Sequence, residues 1–203
     1  MQSPEPITHI FEIERKINAQ GFNTAFMMGY HYAQALFSPE NMPHVIHMEG
    51  LHNNGKSSFA KGMAVACTGE KYADESNPLR GHFNWHSGVT EQNVTIFDAS
   101  KIIHPESKAV FQPVDSFILD GKQTLIVEHP SFLTEDSFID ERIKSQVRNP
   151  DVTIHIGDSN DARRQTVRIE IKNPENVKPD GFQSFQQQFL PKMPWCQPVK
   201  SGL

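Results

Sequence analysis

Apolar residues come in short, punctuated runs along this chain, and the way each run begins and ends predicts its element. VIHME (45–49), VTIFD (94–98) and TLIVE (124–128) are continuous, β-rich runs that read as strands of a mostly parallel sheet. VTIHIGD (152–158) and QTVRIEI (165–171) alternate apolar and polar positions around DSNDAR, which predicts a hairpin. Residues 22–37 carry Phe26, Met27, Tyr30, Ala33, Leu36 and Phe37 at helical spacing, with Thr24 or Asn23 as the cap. A turn, SPENMP, follows at 38–43, and SFAKGMAVAC supports a helix up to about Cys67. SFLTEDSFIDERIKSQV (131–147) reads as a polar-faced helix. Residues 68–93 are loop-rich, with HFNWH (82–86) as a short strand, and 99–120 read as loop or short helix.

The ends have a different character. Residues 1–21 are mixed and polar, and IFEIERKI suits a short added helix or strand. From 173 the chain is rich in Pro and Gln and reads as an extended or weakly ordered appendage. The predicted organisation is an extension over 1–21, one domain over 22–172 and a second extension over 173–203.

Between the first strand and its helix lies Gly50-x4-Gly55-Lys56-Ser57, the Walker A pattern between the strand and helix that it requires. The two glycines let the loop curl so that backbone N–H groups, including those of Asn53 and Asn54, converge on phosphate oxygens. The positive end of the following helix adds to this. Lys56 is placed to reach the β- and γ-phosphates, and the Ser57 hydroxyl to bind Mg²⁺. A plain glycine turn is the bland alternative.

Asp98 and Glu128 each close an apolar run. In an open α/β sheet, ligands sit at the carboxyl ends of strands, so both acids can face the phosphate loop. A nucleotide hydrolase needs one acid for Mg²⁺ and another to orient the attacking water. Acids also end strands simply as turn residues. The predicted fold is α/β, a three-layer P-loop NTPase with a mostly parallel sheet and an antiparallel C-terminal hairpin.

Composition narrows this only a little. The 203 residues are enough for one core, and a net charge of −5 supplies no basic field for free-standing nucleic-acid binding. Cys67 and Cys196 are isolated, without metal or redox spacing, which fits a reducing compartment. No apolar run approaches membrane-spanning length, and MQSPEPITHIFEIERK lacks the regions of a signal peptide. A cytoplasmic protein with no membrane role is the expectation.

Taken in order, these features resemble the TsaE family, small P-loop ATPases of bacterial threonylcarbamoyladenosine tRNA modification. The resemblance covers about residues 22–171. Thr24, Gly29, Ala33 and Leu36 match the family's leading helix, and Phe59, Lys61, Gly62 and Met63 match the residues after its P-loop. Asp98 stands where the family has an Asp, and Gly121, Glu128 and Pro130 match its Ile-Glu-Trp-Pro strand and the glycine before it. The final hairpin also matches. The chain departs from the pattern at Ser100-Lys101, at His129, at Asn77-Pro78-Leu79 and in the polar loop residues Leu51-His52-Asn53-Asn54. The resemblance implies ATP and Mg²⁺ on Lys56, Ser57 and Ser58, with Asp98 and Glu128 serving the metal and the water, and Thr24 near the nucleotide. It further implies that ATP turnover resets a TsaB–TsaD-type heterodimer, with tRNA contacted through that complex.

Other residues invite sharper readings. His82 and His86 are spaced i, i+4, and His44 and His47 lie three apart, but no Glu accompanies them as in a zinc peptidase. His52 can touch phosphate or sit exposed. Arg163 and Arg164 can act as an arginine finger or form a solvated hairpin tip. Trp85 and Trp195 suit packing or partner contact. Two rival functions remain. A small-molecule or nucleotide kinase is suggested by Met48-Glu49-Gly50, which also looks like thymidylate kinases, and by ERIKSQVR as a lid. The other is a diverged nucleotide-dependent binding module with little hydrolysis, favoured over the kinase by the departure at Asn77-Pro78-Leu79, where the family resemblance implies a nucleotide-sensing switch loop.

Overall fold

In the computed structural model, the described residues are 5–16, 23–38, 42–51, 53–67, 94–99, 124–133, 145 and 147–199. Five of the strands follow from the hydrophobic pattern. β2 (Val45–Glu49), β3 (Val94–Asp98), β4 (Thr124–Glu128) and β5 (Val152–Asp158) span the ranges read from sequence, and β6 (Arg164–Ile171) starts one residue earlier. β4 is buried throughout and β2 up to its last residue, as parallel strands covered on both faces must be. β5 and β6 alternate buried and exposed positions, as half-covered strands do.

The strands join one mixed seven-stranded sheet, completed by β1 (Ile7–Glu14) and β7 (Cys196–Pro198), in the order β3-β4-β2-β5-β6-β1-β7. β3, β4, β2 and β5 pair in parallel, and β5/β6, β6/β1 and β1/β7 pair antiparallel, so five strands point one way. β2 lies between β4 and β5, which brings the loop after it to the middle of the parallel half.

Helix α1 (Thr24–Leu36) and helix α2 (Lys56–Cys67) pack directly on each other. Two glycines set their separation. A Cβ on Gly29 would lie 2.3 Å from the Phe59 carbonyl oxygen, and one on Gly62 would lie 2.1 Å from that of Phe26. Backbone therefore meets backbone at the crossing, and α1 is buried on almost every side. Phe59, Met63, Met28 and Tyr32 fill the core between these helices and Ile46, Ile126 and Ile154 of the sheet. Residues 100–120, read together with Ala99 as loop or short helix, and most of 131–147, read as a polar-faced helix, lie outside the described residues, as does HFNWH.

The two ends require correction. Residues 1–21 and 173–203 were expected to be additions, with IFEIERKI as a short helix or strand, yet their described parts, 5–16 and 173–199, contribute β1 and β7 to the sheet itself. β1 lies between β6 and β7, with Phe11 and Ile13 fully buried. The Pro/Gln-rich tail is not extended or weakly ordered. It forms helical turns over Gly181–Ser184, Phe185–Phe189 and Leu190–Lys192 before entering β7. Local composition misled because the tail's few apolar residues carry its attachment. Gln186, Gln187 and Gln188 face solvent, while Phe185 and Met193 are buried in the core. Lys178 N–H donates to the Leu36 carbonyl at 2.7 Å, and the Asn173 amide to Asp151 at 2.5 Å. The same Asp151 accepts from the N–H groups of His44 and Val45, so one buried acid ties the tail to the start of β2.

Candidate functional site

The loop between β2 and α2 owes its shape to residues that tolerate left-handed backbone. Gly50 has φ 122° and Gly55 φ 79°. A Cβ on Gly50 would sit 2.1 Å from the Ile156 carbonyl oxygen, so only glycine lets the loop lie against β5. Asn53 (φ 63°) and His129 (φ 57°) are the non-glycine residues in this region among the described residues, and both flank the site. Asn and His enter it more readily than most side chains.

Lys56 opens α2 and is buried, and its ammonium donates to the carbonyls of Gly50 (2.9 Å) and Leu51. A buried cation needs such partners. No acid stands in the first turn of α2, so its positive end faces the loop uncompensated. Asn54 is buried and its amide donates to the Ile156 carbonyl at 3.4 Å.

Ser57 lies on the exposed side of the loop, and its hydroxyl donates to Glu128 Oε2 at 2.6 Å. Glu128 is buried at the carboxyl end of β4. Next to it in the register stands Asp98, the last residue of β3, whose side chain lies outside the described set. Lys61, one turn further along α2, is half-buried. Burial lowers its ammonium pKa, and the Glu128 carboxylate pulls it back up.

Thr24 begins α1, and its hydroxyl donates to the Glu14 carbonyl. Asn23 is the cap of α1. Its side-chain oxygen accepts from Phe26 N–H at 2.8 Å, and its amide donates to Ser58 Oγ at 2.6 Å. A cavity of about 220 Å³ opens here, lined by Arg15, Lys16, Asn23, Thr24, Gly55 and Gln165.

Sequence reasoning missed Arg15, Asn23 as a partner of Ser58, and Gln165. Arg15 follows strand β1, and its guanidinium reaches Asp158 at 2.5 Å and Asn54 of the loop at 3.5 Å. The alternation of IFEIER marks Arg15 as a strand-end cation, but which loop it meets depends on β1 pairing with β6. Arg163 is 89% exposed and paired with Asp161, while Arg164 reaches Glu12 at 3.4 Å, so the hairpin tip is solvated and ion-paired. His47 is buried, with its Nε2 2.6 Å from the Val147 carbonyl, and burial lowers its pKa. His52, His82, His86 and Trp85 lie outside the described residues, whereas Trp195 packs partly buried against the core. Both cysteines are unpaired, and burial pushes their thiols up to about 12, well away from reactivity. No group of three or more potential metal-ligating side chains occurs among the described residues, and no described helix is long and apolar enough to cross a membrane.

No protein-family model matches this chain. No curated protein matches it either. Among solved structures it is similar to YdiB of Bacillus subtilis, at 16% identity and a TM-score of 0.46, with 82% of this chain and 86% of that chain covered.

Proposed function

We propose that this chain binds Mg-ATP on the loop 50–57 and hydrolyses it, as a diverged, cytoplasmic protein of TsaE type with a three-layer P-loop fold. In this reading, turnover resets a TsaB–TsaD-type heterodimer in tRNA threonylcarbamoyladenosine modification, and tRNA is met through that complex. The observation that carries the proposal is the 2.6 Å hydrogen bond between Ser57 and Glu128. It joins the hydroxyl of a Walker A motif to a buried acid 71 residues away, at the end of a neighbouring strand. A glycine turn serving only to connect a strand to a helix needs no such partner.

The residues fit a magnesium ion. Mg²⁺ takes hard oxygen ligands, commonly one or two carboxylates with substrate phosphates and water. Ser57 and Glu128 present a hydroxyl and a carboxylate side by side, and Asp98 is adjacent in the register. These three would hold the ion, which when bound neutralises charge on the terminal phosphates.

The protein's own groups do the rest. Backbone N–H groups of Asn53, Asn54 and Gly55 cradle phosphate oxygens. The Lys56 ammonium exchanges its loop carbonyls for the β- and γ-phosphates. Ser58 follows along the first turn of α2, toward the α-phosphate. Glu128 and Asp98 divide the tasks of metal ligand and water orientation.

The test is Mg-ATP turnover with and without the TsaB–TsaD heterodimer of the same organism. Turnover that rises with the heterodimer supports the reading. ATP binding without partner-dependent turnover would replace it with the binding module. Phosphate transfer to a small acceptor would replace it with the kinase.

A further inference from the structure

The middle of the loop after β2 does not hold its own shape. Asn54 stands between two residues in left-handed backbone, Asn53 (φ 63°) and Gly55 (φ 79°). Glycine adopts that conformation freely, but a residue with a Cβ stays there only when its surroundings hold it. Asn54 is where the surroundings take hold. It is 5% exposed, although Asn53 beside it faces solvent. Its side-chain nitrogen donates to the Ile156 carbonyl of β5 at 3.4 Å, and its side-chain oxygen accepts from the Arg15 guanidinium at 3.5 Å. Both contacts are longer than usual. A buried amide has no water to replace them with, however, so losing one leaves a costly orphan.

Arg15 is itself fixed before it reaches the loop. Its guanidinium donates to Asp158 at 2.5 Å, and its backbone N–H to the Arg163 carbonyl at 2.7 Å. One nitrogen, Nη2, serves both Asp158 and Asn54, so the acid that ends β5 aims the donor at the loop. Arg163 and Arg164 pair instead with Asp161 and Glu12. Arg15 also shares the wall of the cavity with Asn53 and Gly55. The Arg15 and Asp158 side chains are 36% and 60% exposed, and a pair so open to water adds little to global stability. What it does is set the place of one guanidinium.

We propose that Arg15 is a positioning residue for the phosphate loop. Anchored by Asp158, it holds the Asn54 side chain at one end while Ile156 holds the other, and so keeps the backbone N–H groups of residues 53–55 converged. The inference rests on the nucleotide reading above. It makes the residue that follows β1 a working part of the site, which a strand, loop and helix alone do not require.

The experiment compares the full-length wild type with Arg15→Ala, Arg15→Lys, Asn54→Ala and the variant carrying both alanines. Equilibrium binding of Mg-ATP, urea unfolding and NMR order parameters of the amides of residues 53–55 are measured for each. Arg15→Ala weakens Mg-ATP binding by about tenfold. It lowers the order parameters of the loop and moves the urea midpoint little. Arg15→Lys recovers most of the affinity, because an ammonium can also donate to both oxygens. The double variant binds no more weakly than Asn54→Ala, because Arg15 acts through Asn54. Losses that add would give Arg15 a phosphate contact of its own and overturn the positioning role. Unchanged affinity and loop order in Arg15→Ala, with Mg-ATP bound by the wild type, overturns that role and leaves the nucleotide reading standing. A wild type that binds no Mg-ATP overturns the nucleotide reading. Lower loop order in Arg15→Ala then still upholds the grip on Asn54, and unchanged order overturns that too.

Discussion

Ser57 donates to Glu128 across 2.6 Å, and this contact joins the first turn of α2 to the carboxyl end of β4. The acid is buried and Ser57 is exposed, so the contact links a buried carboxylate to the solvent side of the loop. Glu128→Gln preserves the shape and removes the charge. Turnover falls by a factor on the order of 100 or more, while ATP affinity changes only a few-fold. Steady-state kinetics beside a binding titration separates these effects. Parallel losses of binding and turnover would assign Glu128 to structure alone.

The helix crossing makes a prediction that runs against helix propensity. Replacing Gly62 by Ala normally stabilises a helix interior by about 0.8–1.0 kcal/mol. Here the added Cβ meets the Phe26 carbonyl oxygen at 2.1 Å and the Tyr30 nitrogen at 2.8 Å, both backbone atoms that cannot turn aside. Overpacking of this kind costs about 1–3 kcal/mol, so the clash wins. Urea unfolding of Gly62→Ala shows a lower midpoint than wild type. A higher midpoint would mean that the helices are not in backbone contact.

Stability should depend on His9. Its ring stacks on Phe182 at 3.5 Å, its Nδ1 lies 2.7 Å from the Tyr32 hydroxyl, and burial lowers its pKa from 6.5 to about 4. Between those values the unfolded chain binds the proton and the folded chain does not. Stability is therefore fully present above about pH 6.5 and falls as pH drops toward 4, by roughly 3 kcal/mol in total. His31 and His47, also lowered by burial, add to the same slope. Thermal midpoints from pH 7 to 4 fall less steeply in His9→Gln than in wild type. Equal slopes would place the acid sensitivity elsewhere.

Asn23 has two separable tasks, capping α1 with its oxygen and holding Ser58 with its amide. Asn23→Ala loses both and costs about 1 kcal/mol in unfolding experiments. Asn23→Asp keeps the cap and the stability, but places a carboxylate against Ser58 and weakens ATP binding. If Asn23→Asp bound ATP as tightly as wild type, the link between this cap and the nucleotide would be wrong.

The parts of the fold that were legible in sequence were those governed by neighbours along the chain. β2, β3, β4 and β5 stood out because continuous or alternating apolar runs are local signals, and the loop glycines because Gly50 and Gly55 serve a local turn. The ends were misread because their order comes from distant partners. Phe185 is one apolar residue among glutamines until α1 and β1 close around it, and β1 becomes a sheet strand only by pairing with β6. Gly29 and Gly62 were noticed as family positions, but their reason, two helix backbones in contact, requires the packed structure. Gln165 gives no sequence signal, since it is one buried position of an ordinary alternating strand. Only the fold places it beside Gly55 on the wall of one cavity.

The most direct test of the central claim is a titration of the wild-type protein and Lys56→Ala with Mg-ATP. Lys56 is buried, and its ammonium donates to carbonyls of the loop. The account predicts saturable, Mg²⁺-dependent binding to the wild type and its loss, by at least about 100-fold, in Lys56→Ala with the fold intact by circular dichroism. Equal binding by the two proteins, or none by the wild type, would contradict it.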